Sequence, residues 1–297
     1  MARARPEIEL VLDAKNHLGE TPVWSAQESA LYWINCEEQP ELLRWSPTSS
    51  RLERWPMPER IGGLALKAEG GILVVLASGL FDFDPESGSL QLRVASPLPQ
   101  GISLHECAVD PSGRLWVGAI NNAVGPENPA PGGGSLFRLD GDTLIAVRDD
   151  VSCANGLAFS PDGRIMYFSD SLTKRLERWD IDPQSGKASN CRVIAELEPD
   201  EGVIDGSTVD CEGGYWATLV FAGKLRRYLP DGTTVVTIDL PFMNPTKVAF
   251  GGPDWGTLFI TTMSEGAEFR DVDGRDGGLF TFRPDVAGIP EHLFSAG

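Results

Sequence analysis

The sequence predicts an all-β fold, a six-bladed β-propeller with four-stranded antiparallel blades. Three observations carry that prediction: a phrase repeated six times, a regular spacing of turn glycines, and a high density of turn residues. The phrase is a turn built from Gly, Asp, Pro or Ser followed by an alternating apolar strand. It reads SAQESALYWIN from Ser25, KAEGGILVVLA from Lys67, DPSGRLWVGA from Asp110, SPDGRIMYFSD from Ser160, DCEGGYWATL from Asp210 and GGPDWGTLFIT from Gly251. The turn glycines Gly71, Gly113, Gly163, Gly214 and Gly256 lie 42, 50, 51 and 42 residues apart. Each first phrase is followed by a second, such as LLRWSPTSSRLERW, LFDFDPESGSLQLR or LFTFRPDVAGIPEHLF, that reads as strand, turn and strand. Four short strands recurring every 40 to 50 residues mark a propeller blade, and six copies give six blades.

The remaining elements follow in order. The 33 glycines and 22 prolines suit many tight turns, and no long stretch places apolar residues at helical spacing. The segment Ile8 to Asn16 reads as a strand ahead of the first repeat. It is expected to complete the last blade by pairing near His292 to Phe294, which closes the ring and removes an exposed sheet edge. A β-sandwich or two stacked β domains would not produce so even a spacing. With 297 residues, 41% of them hydrophobic, the chain is expected to form one domain over 1–297 with an ample core and a flexible start at 1–7.

Charge and cysteine content exclude several functions. The net charge of −18 repels polyphosphate, so no nucleic-acid partner is expected. Met1 to Glu9 is polar, with none of the apolar stretch of a secretory signal, and no run approaches the roughly 18 apolar residues of a membrane span. A cytoplasmic protein without a membrane partner, monomeric or weakly homo-oligomeric, is expected. Five cysteines, none in CxxC spacing, read as free thiols. No GxSxG elbow, P-loop, dinucleotide fingerprint or HExxH motif is present in context, and three histidines are too few and too scattered for a three-His metal site.

Repeats allow equivalent positions to be compared within one chain. Before each turn lies an inner-strand phrase: ETPVWS, GGLALK, HECAVD, NGLAFS, DGSTVD and TKVAFG. Their first residues, Glu20, Gly62, His105, Asn155, Asp205 and Thr246, form a ring at one end of the channel. Each polar member alone is ordinary: Asn-Gly and Asp-Gly are frequent turn dipeptides, and a lone Glu or His is more often solvated or satisfied. Their co-location at one repeat position points to a cation. Two carboxylates and an amide carbonyl suit Ca²⁺ or Mg²⁺, and an imidazole beside them shifts the choice toward Zn²⁺, Mn²⁺ or Fe²⁺.

At these residues the sequence resembles the SMP-30/gluconolactonase/regucalcin family of sugar lactone lactonases. The matching phrases are LGETPVW around Glu20, NGLAFSPDGRIMYFSDS from Asn155, IDGSTVDCEGGYWATL around Asp205 and PTKVAFGGPDWGTLFITT from Pro245. The resemblance runs in order from about Ile8 to Phe294. It implies a six-bladed propeller, one divalent metal held by Glu20, Asn155 and Asp205, Asp205 as the base that activates water, and a small aldonolactone as substrate.

One segment departs from the family pattern. Where members carry Arg-x-Asn-Asp-Gly, with Arg and Asn on the sugar lactone, this chain has Ser103-Leu104-His105-Glu106-Cys107. Ser cannot replace the five-donor fork of Arg. His105 adds a group whose ordinary titration lies near neutral pH and is expected to act as a fourth metal ligand, an acid/base or a substrate contact. Glu106 is expected to point away and pair beneath the site. Ser103, His105 and Asn122 are the expected substrate contacts, with Asn121, Asp170 and Ser207 as weaker candidates. The loop from Asn121 to Gly134 is expected to be either a lid over the mouth or a solvated connector. Beside the lactonase reading stand an esterase or phosphotriesterase using the same metal, and a non-enzymatic calcium-binding propeller.

Overall fold

The computed structural model describes residues 7–125, 128–129, 131–264 and 276–295. It forms six four-stranded antiparallel sheets, the six blades expected from the repeats. Blades 1 to 5 are continuous in sequence, over 19–56, 61–95, 102–151, 154–196 and 203–239. Blade 6 takes its three inner strands from 245–282 and its outermost strand, Glu9–Leu12, from the start of the chain. A single turn of 3-10 helix, Ser171–Thr173, follows the second strand of blade 4. Among the described residues no helix is long and apolar enough to cross a membrane.

The ring closes at a different register from the one expected. Glu9–Leu12 pairs with Leu279–Phe282, Glu9 opposite Thr281 and Leu10 opposite Phe280, and not with His292 to Phe294. Arg283-Pro284 follows Phe282, and Pro284 has no N–H for a ladder. The chain therefore leaves the sheet there and crosses the opposite face. Gly288 N donates to Trp255 O at 2.8 Å, Phe294 N to Leu66 O at 2.8 Å, and Ser295 N to Gly113 O at 3.0 Å.

Both faces of each sheet are buried between neighbours, so the inner strands read as nearly continuous apolar runs. The core divides into six clusters, one at each blade–blade contact. Tyr32, Ile34 and Leu42 of blade 1 meet Leu64, Ile72 and Val74 of blade 2. Trp24, Leu31 and Trp33 of blade 1 meet Phe259 and Leu279 of blade 6 and so close the circle. The repeated turn is fixed by buried carboxylates. Asp110 accepts from Ser112 N, Arg114 N and Trp116 Nε1, and Asp210 accepts from Glu212 N, Gly214 N and Trp216 Nε1.

The inner strands share a further irregularity. The register shifts between Glu20 and Val23, Ile61 and Gly63, Leu104 and Cys107, Asn155 and Ala158, Ile204 and Ser207, and Pro245 and Val248. A bulge adds a residue to one strand and re-aims the side chains beside it. Here it falls at the ring position in every blade. After the ring residue, blade 4 uses Gly156 at φ +65, whereas blade 1 holds Thr21 at φ +47. That conformation is costly for a β-branched residue.

One step below the ring, the channel is spanned by an ion pair. Glu106 of blade 3 and Lys247 of the opposite blade 6 meet at 2.7 Å, both side chains under 10% exposed. A Cβ added at Gly206 would stand 2.2 Å from Lys247 Cγ, so glycine at that level makes room for the lysine. Glu106 also accepts from Leu157 N at 3.0 Å, as the expectation of pairing beneath the site requires. The lower channel is a small cavity of about 80 Å³ lined by Cys107, Ser207 and Val248 and plugged by Ile289 to His292 of the tail.

Glu291 in that plug sits in poorly solvated surroundings that push its carboxyl up to about 7, against the opposing pull of Lys247. A carboxyl raised in the folded state contributes most stability below its unfolded value, and that contribution is lost as pH rises through the folded value. Thermal midpoints are therefore expected to fall between about pH 4.5 and pH 7. Glu291→Gln should raise the midpoint by roughly 2–5 °C at pH 8 and leave it unchanged at pH 4.5. Equal effects at both pH values would remove Glu291 as the cause.

Candidate active site at the channel mouth

The ring residues open into one cavity of about 660 Å³. Glu20, His105, Asn122, Asn155 and Asp205 line it together, with Arg60, Glu37, Ser171 and Phe221. Four of the six expected site residues are thus brought together by four different blades, and Asn122 joins them from the end of the second strand of blade 3. Ser103 does not line the cavity. It is buried behind Asn122, whose Nδ2 donates to Ser103 Oγ at 3.0 Å. Asp170 also lies in the wall, where it accepts from Ser152 N at 2.8 Å and Cys153 N at 3.1 Å. Ser207 belongs to the lower cavity. Asn121, Val124 and Gly125, from the described part of the 121–134 loop, border the mouth.

The pair Glu20 and Asp205 is electrostatically expensive. Burial pushes the Glu20 carboxyl up to about 7, with Lys247 drawing it down and Glu106 pushing it further up. Burial raises Asp205 well above the ordinary carboxylate range, and the charges on Glu20 and Glu106 add to it. Two carboxylates confined together with one ammonium beneath them form an anionic pocket that a cation relieves.

Asn155 supplies a third oxygen, and its orientation is decided by its neighbours. Ser171 Oγ donates to Ile204 O at 2.7 Å, so it can only accept from Asn155, whose Nδ2 stands 2.8 Å away. The amide nitrogen is therefore tied to the wall and Oδ1 is left for the cavity. Among the described residues no three His, Cys, Asp or Glu side chains group as a metal site. The candidate set is two carboxylates and one amide carbonyl, and these donors fit a hard divalent cation.

A contact with Arg60 bears on the role of His105. Arg60 Nη1 lies 3.2 Å from His105 Nδ1. Arginine only donates, so Nδ1 is the acceptor and the ring proton sits on Nε2. An imidazole held in that tautomer presents an N–H at Nε2 in place of a lone pair. Burial, then the charges on Arg60 and Lys247, hold its pKa well below the ordinary value. Cys107 is buried beside the site: burial pushes its thiol up to about 12, and Sγ lies 3.5 Å from Leu64 O.

Arg60 and Glu37 were not singled out from the sequence. A signal for Arg60 existed. It stands two residues before the ring position of blade 2, the place Ser103 holds in blade 3. Leu18, Cys153 and Val203 hold that place in blades 1, 4 and 5, and all three also line the cavity.

Comparisons with known proteins agree with this architecture. Residues 18–264 match the family model described as the SMP-30/Gluconolactonase/LRE-like region. The chain is similar to a 6-deoxy-6-sulfogluconolactonase of Pseudomonas putida, 34% identical over 295 residues, with 97% of this chain and 98% of that one covered. It is similar to an L-arabinolactonase of Azospirillum brasilense, 33% identical over 293 residues, with coverage of 96% and 95%. Its fold resembles that of a calcium-binding protein, regucalcin, from Agrobacterium tumefaciens, with a TM-score of 0.89 at 27% identity over 98% of each chain. A matching family model over most of the length, on a propeller whose ring residues converge at one mouth, establishes that this chain belongs to the SMP-30/gluconolactonase/LRE-like family.

Proposed function

We propose that the protein is a divalent-metal-dependent lactonase that hydrolyses a small, sugar-derived lactone. The observation that carries this reading is the convergence of Glu20, Asn155 and Asp205 on one cavity. The lactonase names of the similar proteins from P. putida and A. brasilense support the reaction class. Glu20, Asn155 and Asp205 would hold one cation. With His105 committed to Arg60, the set is all oxygen, which favours Ca²⁺, Mg²⁺ or Mn²⁺ over Zn²⁺. When bound, such a cation supplies polarisation of the lactone carbonyl and stabilises the charge that develops on its oxygen.

The chain's own groups do the rest. The Asp205 carboxylate takes a proton from water as the water oxygen bonds to the carbonyl carbon. The bond from that carbon to the ring oxygen then breaks, and Asp205 returns the proton to the leaving ring oxygen. The product is the open hydroxy acid. Tail residues Ile289 to His292 line the lower channel, and substrate is taken to enter from the mouth. Glu106 and Lys247 floor the site; burial, then the charges on Glu20 and Glu106, raise the proton affinity of Asp205 against the opposing pull of Lys247.

The direct test is a pH-indicator assay on EDTA-stripped protein with a panel of aldono-1,4- and 1,5-lactones, adding Ca²⁺, Mg²⁺, Mn²⁺ or Zn²⁺ in turn. Hydrolysis restored by metal supports the reading, and tight metal binding without hydrolysis of any lactone overturns it. Ser171→Ala frees the Asn155 amide to rotate. It is expected to weaken metal binding by about 10- to 100-fold, measured by calorimetric titration with Ca²⁺ or Mn²⁺. An unchanged affinity would mean that Asn155 is held by something other than Ser171.

A further inference from the structure

The guanidinium that the third blade lacks at Ser103 is present in the cavity from the second blade. Arg60 holds the repeat-equivalent position in blade 2, and Gly62 two residues later lets the two inner strands close. A Cβ at Gly62 would stand 2.7 Å from His105 Cα and 2.8 Å from His105 O. That close approach puts Arg60 beside His105. Arg60 Nε donates to Glu37 Oε1 at 2.7 Å and Nη1 reaches His105 Nδ1 at 3.2 Å. The other three N–H groups of the guanidinium bond to none of the described residues, and the side chain, 17% exposed, borders the cavity.

Arg60 and His105 present donors here, and the carboxylate beside them, Glu37, is engaged by Arg60 Nε. Arg60 has only donors. His105, with Nδ1 occupied, adds an Nε2–H donor. A hydroxyl needs to give a proton as well as receive one, whereas a carboxylate or sulfonate only receives. A planar fork beside a fixed N–H matches such a group by charge-assisted, paired hydrogen bonds. Asn121, Asn122 and Ser171 add neutral polar groups to the wall, and Leu18, Leu172, Val203, Val220, Phe221 and Met263 make an apolar side. The net charge of −18 disfavours anions at long range, so an acidic group is held here only by contacts of this local sort.

Resting on the lactonase reading, we propose that Arg60 and His105 form a recognition site for an acidic oxygen group, carboxylate or sulfonate, on the lactone's substituent remote from the scissile carbonyl. Glu20, Asn155 and Asp205 sit on blades 1, 4 and 5, while Arg60 and His105 approach from blades 2 and 3. The substrate thus spans the mouth, with its carbonyl at the carboxylate pole and its acidic end at the donor pole. Arg60 is a specificity residue that touches the substituent and not the reacting atoms.

The experiment compares two lactones of the same ring, an aldonolactone ending in CH₂OH and an aldarolactone ending in carboxylate. The native protein is expected to favour the aldarolactone in kcat/KM by about 10-fold or more, carried by KM. Arg60→Gln should lower kcat/KM for the aldarolactone by about 100-fold and for the aldonolactone by far less, so that the preference reverses. Arg60→Lys, which keeps the charge without the fork, should recover part of the loss. The open aldarate should inhibit the native protein at lower concentration than the open aldonate, which keeps the test decisive if Arg60→Gln fails to fold. Equal use of both lactones, or equal loss on both in Arg60→Gln, overturns this site and leaves the lactonase reading standing. Hydrolysis of neither, with metal bound, overturns both.

Discussion

Asp205→Asn is expected to lower kcat for lactone hydrolysis by about 10³-fold or more while leaving the β-sheet circular dichroism unchanged. The substitution keeps the shape and one oxygen donor but removes the carboxylate proposed to take the water's proton. It also removes one of two buried, mutually repelling carboxylates. The metal-free variant is therefore expected to melt no lower than the native protein at pH 7.5. Loss of activity accompanied by a lower melting point in EDTA would mean that Asp205 stabilises the fold, and its assignment as base would lose its support. Full activity would remove it from the mechanism altogether.

Lys247→Met is expected to destabilise the protein by about 3–5 kcal/mol, because Glu106, left without its cation in the channel, must either stay charged there or take up a proton. Burial works against the Lys247 charge, and Glu106 with Glu20 more than offsets it, so the ammonium is held above its ordinary value. Glu106 is raised by burial in spite of Lys247, so once the lysine is lost it would be driven toward the neutral acid. Glu106→Gln in the same chain should restore most of the lost stability, since the amide oxygen still accepts from Leu157 N and no charge remains. Thermal or urea denaturation of the two single variants and the double variant decides this. A double variant as unstable as Lys247→Met alone would place the cost in lost packing. Among the described residues the same lysine is the ammonium acting on Glu20 and Asp205, so metal affinity is expected to rise in Lys247→Met even as stability falls.

The blades were legible because each strand's local pattern agrees with its place in the ring. Apolar runs such as ALYWIN, LWVGA and IMYFSD are buried by a neighbouring blade on each side, and glycine turns separate them at near-constant intervals. The ring of Glu20, His105, Asn155 and Asp205 was legible for the same reason. Repetition makes sequence offset stand for position in space, so one chain is its own alignment. The closing strand was legible as a strand but not in its partner. The strand at Glu9–Leu12 was expected to pair near His292 to Phe294, but Pro284 ends the sheet before the tail and the partner is Leu279–Phe282.

The sequence by itself determined the fold, the end of the channel where the candidate site lies, and the set of oxygen donors that converge there. Only the tertiary structure decided how those donors are aimed and what stands beside them. The tautomer of His105 depends on Arg60, 45 residues away, and the free carbonyl of Asn155 depends on a chain of contacts through Ser171 to Ile204 O. The ion pair of Glu106 with Lys247 joins opposite blades across 141 residues of sequence. Such facts escape sequence reading because hydrogen-bond direction and ionisation are set by whichever groups are packed nearest, and in a closed ring the nearest groups come from other blades.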